Sequence, residues 1–391
     1  VVPTAPLAYL DHAASTPMRP EAVAAMVEVL EGPVGNPSGQ HGWARAARRR
    51  LDDAREQIAD AVGAHPAEVV FTSGGTEADN LAIAGTAGAR GGRPTCMATD
   101  HHAALAPVRA AGGHVLDVAG RARLAPSALE EALRARPGTS VVSFAGVNNE
   151  LGVVQPAVEL ADAVRRGAPE AAVHVDAVAA AAWIDLAPIV ASADLVSLSG
   201  HKVGGPLGVG ALVVRAGAAL SPVIVGGAQE RERRGGTPNV AGAVGFAAGL
   251  AATVAGRERT AARVAAQRDR LRAAILGTVG DAAIETVAGE PDVELVANVV
   301  HLSCRDVHRE ALLFRLDAEG VAASAGSSCA SGATQRSHVV DALGLPPGLA
   351  DGALRLSLGW TTTDEEVALA GRVVAEAILA LQGTATAGAG R

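Results

Sequence analysis

The stretch 195–205 reads LVSLSGHKVGG. Its apolar run at 195–198 predicts a buried strand, and Ser199-Gly200-His201-Lys202 with two glycines follows as a turn of little side-chain bulk. A lysine in that place is either a solvated turn residue or an amine held in a pocket. In a dry pocket it would be a nucleophile toward carbonyl carbons and a carrier of protons. Three other polar residues, Thr76, Asn149 and Asp176, also fall at or just past the end of a predicted strand. In open α/β sheets ligands sit beyond the C-terminal ends of the strands, so these four residues are expected to share a site.

The elements that must position them follow from the pattern. Residues 69–72 read as a strand, Ser73-Gly74-Gly75 as a tight turn, and Thr76-Glu77-Ala78-Asp79 as a capping box that opens a helix through Ile83. Such a junction aims backbone N–H groups and the positive end of a helix at one spot, which suits a phosphate. The same junction also occurs without any ligand. Strand patterns at 141–144, 172–175, 195–198 and 211–214 alternate with helical ones, among them 156–166. Ala44, Ala47, Leu51, Ala54, Ile58 and Ala61 form a helical stripe stopped by Gly63. The alternation predicts an α/β domain with a mostly parallel sheet covered on both faces. A long helix from Val240 into the 270s leads to a second region. It has strands at 296–302, 321–323 and 354–358, a helix at 307–318, and a final helix opened by a capping box at Thr363. The tail GTATAGAGR is expected to be disordered.

The chain has 391 residues, long for a single core, so two domains are expected. Hydrophobic residues make up 49% and charged residues 19%, as in a globular protein. A net charge of −8 argues against a nucleic-acid-binding surface. Three cysteines do not make a disulfide framework, which fits a reducing, cytoplasmic setting. No basic region precedes an apolar core at VVPTAPLAYLDHAA, so no signal peptide is expected, and no uninterrupted apolar run suggests a membrane span.

Ten stretches together carry a family resemblance: YLDHAASTP, GNPSGQHG, FTSGGTEADNLAI, TDHHAAL, VNNELGVVQP, HVDAV, LSGHKVGGPLGVGAL, GGAQERERRGGTPNV, SAGSSCASGATQRSHVV and LRLSLGWTTT. In this order, covering residues 9 to about 363, they resemble the cysteine desulfurases of the NifS/IscS type. These form part of the class V branch of the fold-type I pyridoxal-phosphate enzymes. The resemblance implies a large domain over 12–252 with a mostly parallel mixed sheet. A smaller α+β domain would take 253–391, with residues 1–11 packed on it. It also implies a homodimer, pyridoxal 5′-phosphate as cofactor, L-cysteine as substrate and a sulfur-acceptor protein as partner.

Roles follow position by position from the resemblance. Lys202 matches the Schiff-base lysine, Asp176 the carboxylate that pairs with the pyridine nitrogen, and His101 the histidine stacked on the ring. Thr76, Ser199, His201 and the Gly75 backbone match phosphate contacts, and Thr237 matches a threonine that reaches the phosphate of the neighbouring subunit. Asn149 and Arg355 match residues at the substrate carboxylate and the cofactor hydroxyl, with Asn36 close by. Arginine suits a carboxylate because its planar fork binds both oxygens. Cys329 matches the cysteine that takes the sulfur as a persulfide, whereas Cys96 and Cys304 read as buried structural residues.

Two positions depart from the family pattern. Ala179 stands where relatives carry a glutamine that donates to the ring hydroxyl, and His12 stands where they often carry asparagine. Other readings of the same motifs are a selenocysteine lyase, another class V enzyme such as an aminotransferase, or a sulfur-relay scaffold. The pathway that receives the sulfur is not encoded in the motifs.

Overall fold

The computed structural model describes residues 8–33, 35–118, 120–287, 290, 292–326 and 336–388. Cys329 lies outside the described residues. Strand β1 (Ala8–Tyr9) opens the chain. The next seven strands are β2 (Val69–Thr72), β3 (Arg93–Met97), β4 (His114–Leu116), β5 (Thr139–Ala145), β6 (Ala172–Asp176), β7 (Leu195–Ser199) and β8 (Gly210–Val214). They form one sheet in the order β2-β8-β7-β6-β5-β3-β4. All pairings in it are parallel except those of β8, which runs antiparallel to both β2 and β7. The result is the expected mostly parallel mixed sheet.

The central strands TSVVSFA, AVHVD and LVSLS are buried along their whole length, because helices cover both faces of the sheet. Registers Ala145↔Asp176 and Asp176↔Ser197 bring the C-terminal ends of β5, β6 and β7 level at one edge. The helix Gly42–Val62 buries Ala44, Ala47, Leu51, Ala54 and Ile58 of its predicted stripe, leaves Ala61 half-buried, and ends at Gly63, whose φ of +76° is one that glycine adopts without strain.

Four further strands, β9 (Ala283–Glu285), β10 (Val299–Cys304), β11 (Val321–Ala322) and β12 (Ala353–Ser357), lie beyond a long helix, Val240–Val279. An antiparallel sheet runs β12-β10-β9, and β11 pairs in parallel with β1. Two large cores result. One packs around the seven-stranded sheet, and the other joins Ala8 and Leu10 to β10, β12 and the final helix. The long helix serves both: Phe246 and Leu250 are buried in the first core, Val264, Leu271 and Ile275 in the second.

Several expectations need correction. That long helix, to Ala282, does reach the length and apolarity of a membrane span. Here its apolar face is the spine between two cores, which asks for the same Ala, Val and Gly content. The capping box at Thr76–Asp79 does not form. The helix Gly75–Arg90 starts two residues earlier than that box requires, with Gly74 as its N-cap, and the Glu77 carboxyl accepts instead from the Ser73 N–H. The box at Thr363 does form, with Thr363 and Glu366 bonding reciprocally. The final helix continues to Gly388, into the tail expected to be disordered, because extending a helix already started costs far less than nucleating one. Strands β3 and β4 and the helices at 102–110 and 126–134 were not predicted.

Candidate active site

A cavity of about 190 Å³ opens at the C-terminal edge of the large sheet. Its lining includes Gly75, Thr76, His101, Asn149, Asp176, Ser199, His201, Lys202 and Arg355. Nine candidates drawn from six separate segments thus meet in one place. Two do not. Asn36 is exposed and does not line the cavity of its own chain; its Oδ1 accepts from the Ser38 N–H in a loop turn. Thr237 is also exposed, on a loop outside the cavity.

Lys202 closes a single 3-10 turn (Gly200–Lys202) directly after β7. The turn is tight: a Cβ on Gly200 would fall 2.9 Å from the Pro206 carbonyl oxygen, which only glycine tolerates. The Lys202 Nζ donates to the main-chain carbonyls of Ala13 at 2.5 Å and Ala14 at 2.8 Å. The amine is therefore held in a pocket, which settles the choice between a solvated and an enclosed lysine.

Asp176 ends β6, and its Oδ1 accepts from the Val178 N–H at 2.9 Å. Burial raises its pKa, and the Val178 bond and the Lys202 charge act against that rise. Behind it, on the same sheet face, lies a row of polar groups that motif reading missed. His174 bonds the Ser143 hydroxyl through Nδ1 and the Ser197 hydroxyl through Nε2, both at 2.9 Å, and Asp79 approaches Nε2 at 3.6 Å. Burial holds the His174 ring neutral, down to about 3, and drives Asp79 well above the usual carboxylate range, with the negative Asp176 adding to the rise. The sequence carries one signal for Asp79: its acidic side chain falls on a helix face otherwise made of Ala78, Leu81 and Ala82.

His101 is the N-cap of the helix His102–Ala110, and its Nδ1 accepts from the Ala103 N–H at 3.1 Å. Nδ1 is therefore unprotonated, and Nε2 carries the proton of the neutral ring. Burial, then the positive Lys202 and neighbouring His102, His338 and Arg355, push its pKa down to about 4. His201 is lowered to about 4 by burial and Lys202. Arg355, on β12, donates from Nη1 to the Asn149 carbonyl at 2.9 Å and from Nη2 to Asp11 Oδ1 at 2.8 Å, drawing the second core onto the cavity.

Ser199 Oγ is buried without a hydrogen-bond partner among the described residues, beside the first turn of the Gly75 helix. A Cβ on Gly75 would come within 2.7 Å of Val178 Cγ2, so the backbone there makes an open cradle that a side chain would fill. Of the three cysteines, Cys96 and Cys304 are buried; burial raises both thiols, Cys304 up to about 12, as suits unreactive packing residues.

A mostly parallel mixed sheet with an enclosed lysine at its C-terminal edge and an aspartate on the next strand defines a fold-type I enzyme. The aminotransferase class-V family model matches residues 8–369. An IscS-like cysteine desulfurase of Mycobacterium tuberculosis is 40% identical, over 98% of this chain and 99% of that protein. Among solved structures, a NifS-like protein matches with a TM-score of 0.86 and 29% identity, over 95% of this chain and 99% of its own. A structure described as SspA in complex with cysteine matches with a TM-score of 0.76 and 29% identity, over 91% and 100%. The chain belongs to the class-V aminotransferase family, among its cysteine desulfurases of the NifS/IscS type.

That family implies pyridoxal 5′-phosphate. The residues present fit it: an enclosed amine, a buried carboxyl, an imidazole, and an orphaned hydroxyl beside a helix start whose first N–H groups lack intrahelical partners.

Proposed function

We propose that this enzyme converts L-cysteine to L-alanine and passes the sulfur to Cys329 as a persulfide, for delivery to an acceptor protein. The observation that carries the proposal is the Lys202 amine, enclosed in one cavity with Asp176, His101 and Arg355. Lys202 would hold the cofactor covalently and Asp176 would pair with its ring nitrogen. Ser199, His201, Thr76 and the Gly75 N–H would hold its phosphate. When bound, pyridoxal phosphate supplies an electron sink for carbanion chemistry at Cα.

The protein's own groups do the rest. Arg355 binds the substrate carboxylate through its fork, and Asn149 lines the cavity beside it. The Lys202 Nζ takes the Cα proton, and the neutral His101 ring is the second proton carrier. The Cys329 thiolate attacks the substrate sulfur; an S–S bond forms, the Cβ–S bond breaks, and its electron pair stays with the carbon fragment, which is protonated to alanine. Thr237, exposed outside this chain's cavity, fits a role in the cavity of a second copy.

The test is Cys329→Ser in the purified holoenzyme. Loss of sulfide and alanine production with the cofactor still bound is expected. Full turnover of L-cysteine by that variant would refute the assignment.

A further inference from the structure

Glu150 follows Asn149 in sequence yet is not among the residues lining the cavity. It is fully buried, at 0% exposure. A buried glutamate carries a desolvation cost, and its contacts help to offset it. Ser337 Oγ lies 2.5 Å from Glu150 Oε2. That hydroxyl already accepts from the N–H groups of Val339 and Val340, so its single hydrogen is the one given to Glu150.

On the other side, Gly326 runs directly against the same carboxyl. A Cβ there would fall 2.7 Å from Glu150 Oε2, and the φ of +141° is one that L side chains rarely adopt. Gly326 is held in turn by the Ser324 hydroxyl, which donates to its carbonyl at 2.7 Å. Ser324 pairs with Arg355 through two main-chain bonds, so this flank is fixed to the cavity wall. Past Ser337, His338 Nε2 donates to the Asp100 carbonyl at 2.8 Å, and its ring packs on His102 at 4.4 Å. Asp100 itself caps the strand ends beside the cavity, accepting from the Met97 and Ala145 N–H groups.

Gly326 and Ser337 flank Cys329 in sequence, three residues before it and eight after. We propose that Glu150 is the positioning residue for Cys329: one buried carboxyl meets Gly326 and Ser337, the described residues on either side of the cysteine in sequence, and holds those two anchor points together. The proposal rests on the reading of Cys329 as sulfur acceptor. It assigns Glu150 and Ser337 to sulfur transfer and not to the chemistry at Cα.

The test compares Ser337→Ala, Ser337→Thr and Glu150→Gln holoenzymes by two measurements. The first is solvent-deuterium exchange at Cα of L-alanine, which needs Lys202 and the cofactor but not Cys329. The second is the single-turnover rate of Cys329 persulfide formation from L-cysteine, read by mass spectrometry. Ser337→Ala and Glu150→Gln are expected to slow persulfide formation about 10- to 100-fold, as for a reacting group displaced by an ångström or so. Exchange at Cα stays at the wild-type rate, and Ser337→Thr, which keeps the hydroxyl, recovers the transfer.

Persulfide formation at the wild-type rate in both Ser337→Ala and Glu150→Gln would overturn the proposal. So would a parallel loss of Cα exchange, which would place these residues in service of the cavity instead. Should Glu150→Gln fail to fold, Ser337→Ala against Ser337→Thr decides alone. Failure of the underlying reading shows separately, as undiminished turnover by Cys329→Ser.

Discussion

Arg355 and Asp11, 344 residues apart, are joined by a 2.8 Å hydrogen bond from Nη2 to Oδ1 at the wall of the cavity. The arginine side chain is 2% exposed and the aspartate 21%. A buried guanidinium needs such partners, and Asp11 together with the Asn149 carbonyl keeps the fork oriented before substrate arrives. Arg355 Nε remains buried without a partner among the described residues.

Replacing that fork by an ammonium should therefore weaken carboxylate binding. Arg355→Lys is expected to raise the KM for L-cysteine about 10- to 100-fold, the worth of one or two charge-assisted hydrogen bonds. The cofactor should remain bound. Steady-state kinetics on the holoenzyme check this, and an unchanged KM would remove Arg355 from substrate binding.

Ser199 separates ligand binding from folding. Its buried hydroxyl has no hydrogen-bond partner among the described residues and would gain one from a bound phosphate. Ser199→Ala should weaken cofactor affinity about ten-fold while the apoprotein melts no lower than wild type. Titration of apoprotein with pyridoxal phosphate and a thermal melt of the same sample give both readings.

The row behind Asp176 makes a statement about pH. His174 has its pKa lowered from 6.5 to about 3 by burial. Above 6.5 neither folded nor unfolded chain protonates it, and its contribution to stability is fully present. As pH falls toward 3 the unfolded chain takes up a proton that the fold excludes, so stability drops by about 1.4 kcal/mol per pH unit. Asp100, raised from 3.8 to about 7 by burial, works the other way: the fold keeps a proton, so stability grows as pH falls through that range. The His174 part is isolated by subtraction. The stability difference between wild type and His174→Asn, from urea denaturation of the apoprotein, should move against wild type as pH falls below 6.5. A difference independent of pH would contradict a neutral buried ring.

Ala179 lines the cavity with Val178, on the stretch that follows Asp176. A glutamine there would add an amide donor where the wall now offers only a methyl group. Ala179→Gln is expected to shift the visible absorption maximum of the bound cofactor and raise turnover by up to about ten-fold. Identical spectra would mean that the added amide does not reach the ring.

Much of this was legible in advance. Strands 172–176 and 195–199 were readable because a buried parallel strand is a nearly continuous apolar run ending in a polar residue. Strands β3 and β4 were not, because RPTCM opens on Arg-Pro, which breaks the apolar run, and HVL is only three residues long. Thr76–Asp79 has the letters of a capping box, but two glycines before it let the helix begin earlier. Thr76 and Asp79 then both line the cavity, and the Asp79 carboxyl also approaches the buried His174 ring. Where Asn36 stands relative to the cavity was not legible, because a motif in a loop says nothing about how far the loop stands from the sheet edge.

The sequence by itself determined the inventory: an amine after one strand, a carboxyl after another, a glycine turn before a helix and an arginine near the far end of the chain. Side-chain periodicity and turn chemistry are local, so they survive in one dimension. Only the tertiary structure decided which of these groups meet. Parallel registers level the ends of β5, β6 and β7, a single long helix joins the two cores, and Arg355 reaches Asp11 and Asn149 across them. The enclosure of Lys202 belongs to that second category. Whether an amine is dry depends on what packs over it, and here that is the main chain of Ala13 and Ala14, almost two hundred residues away in sequence.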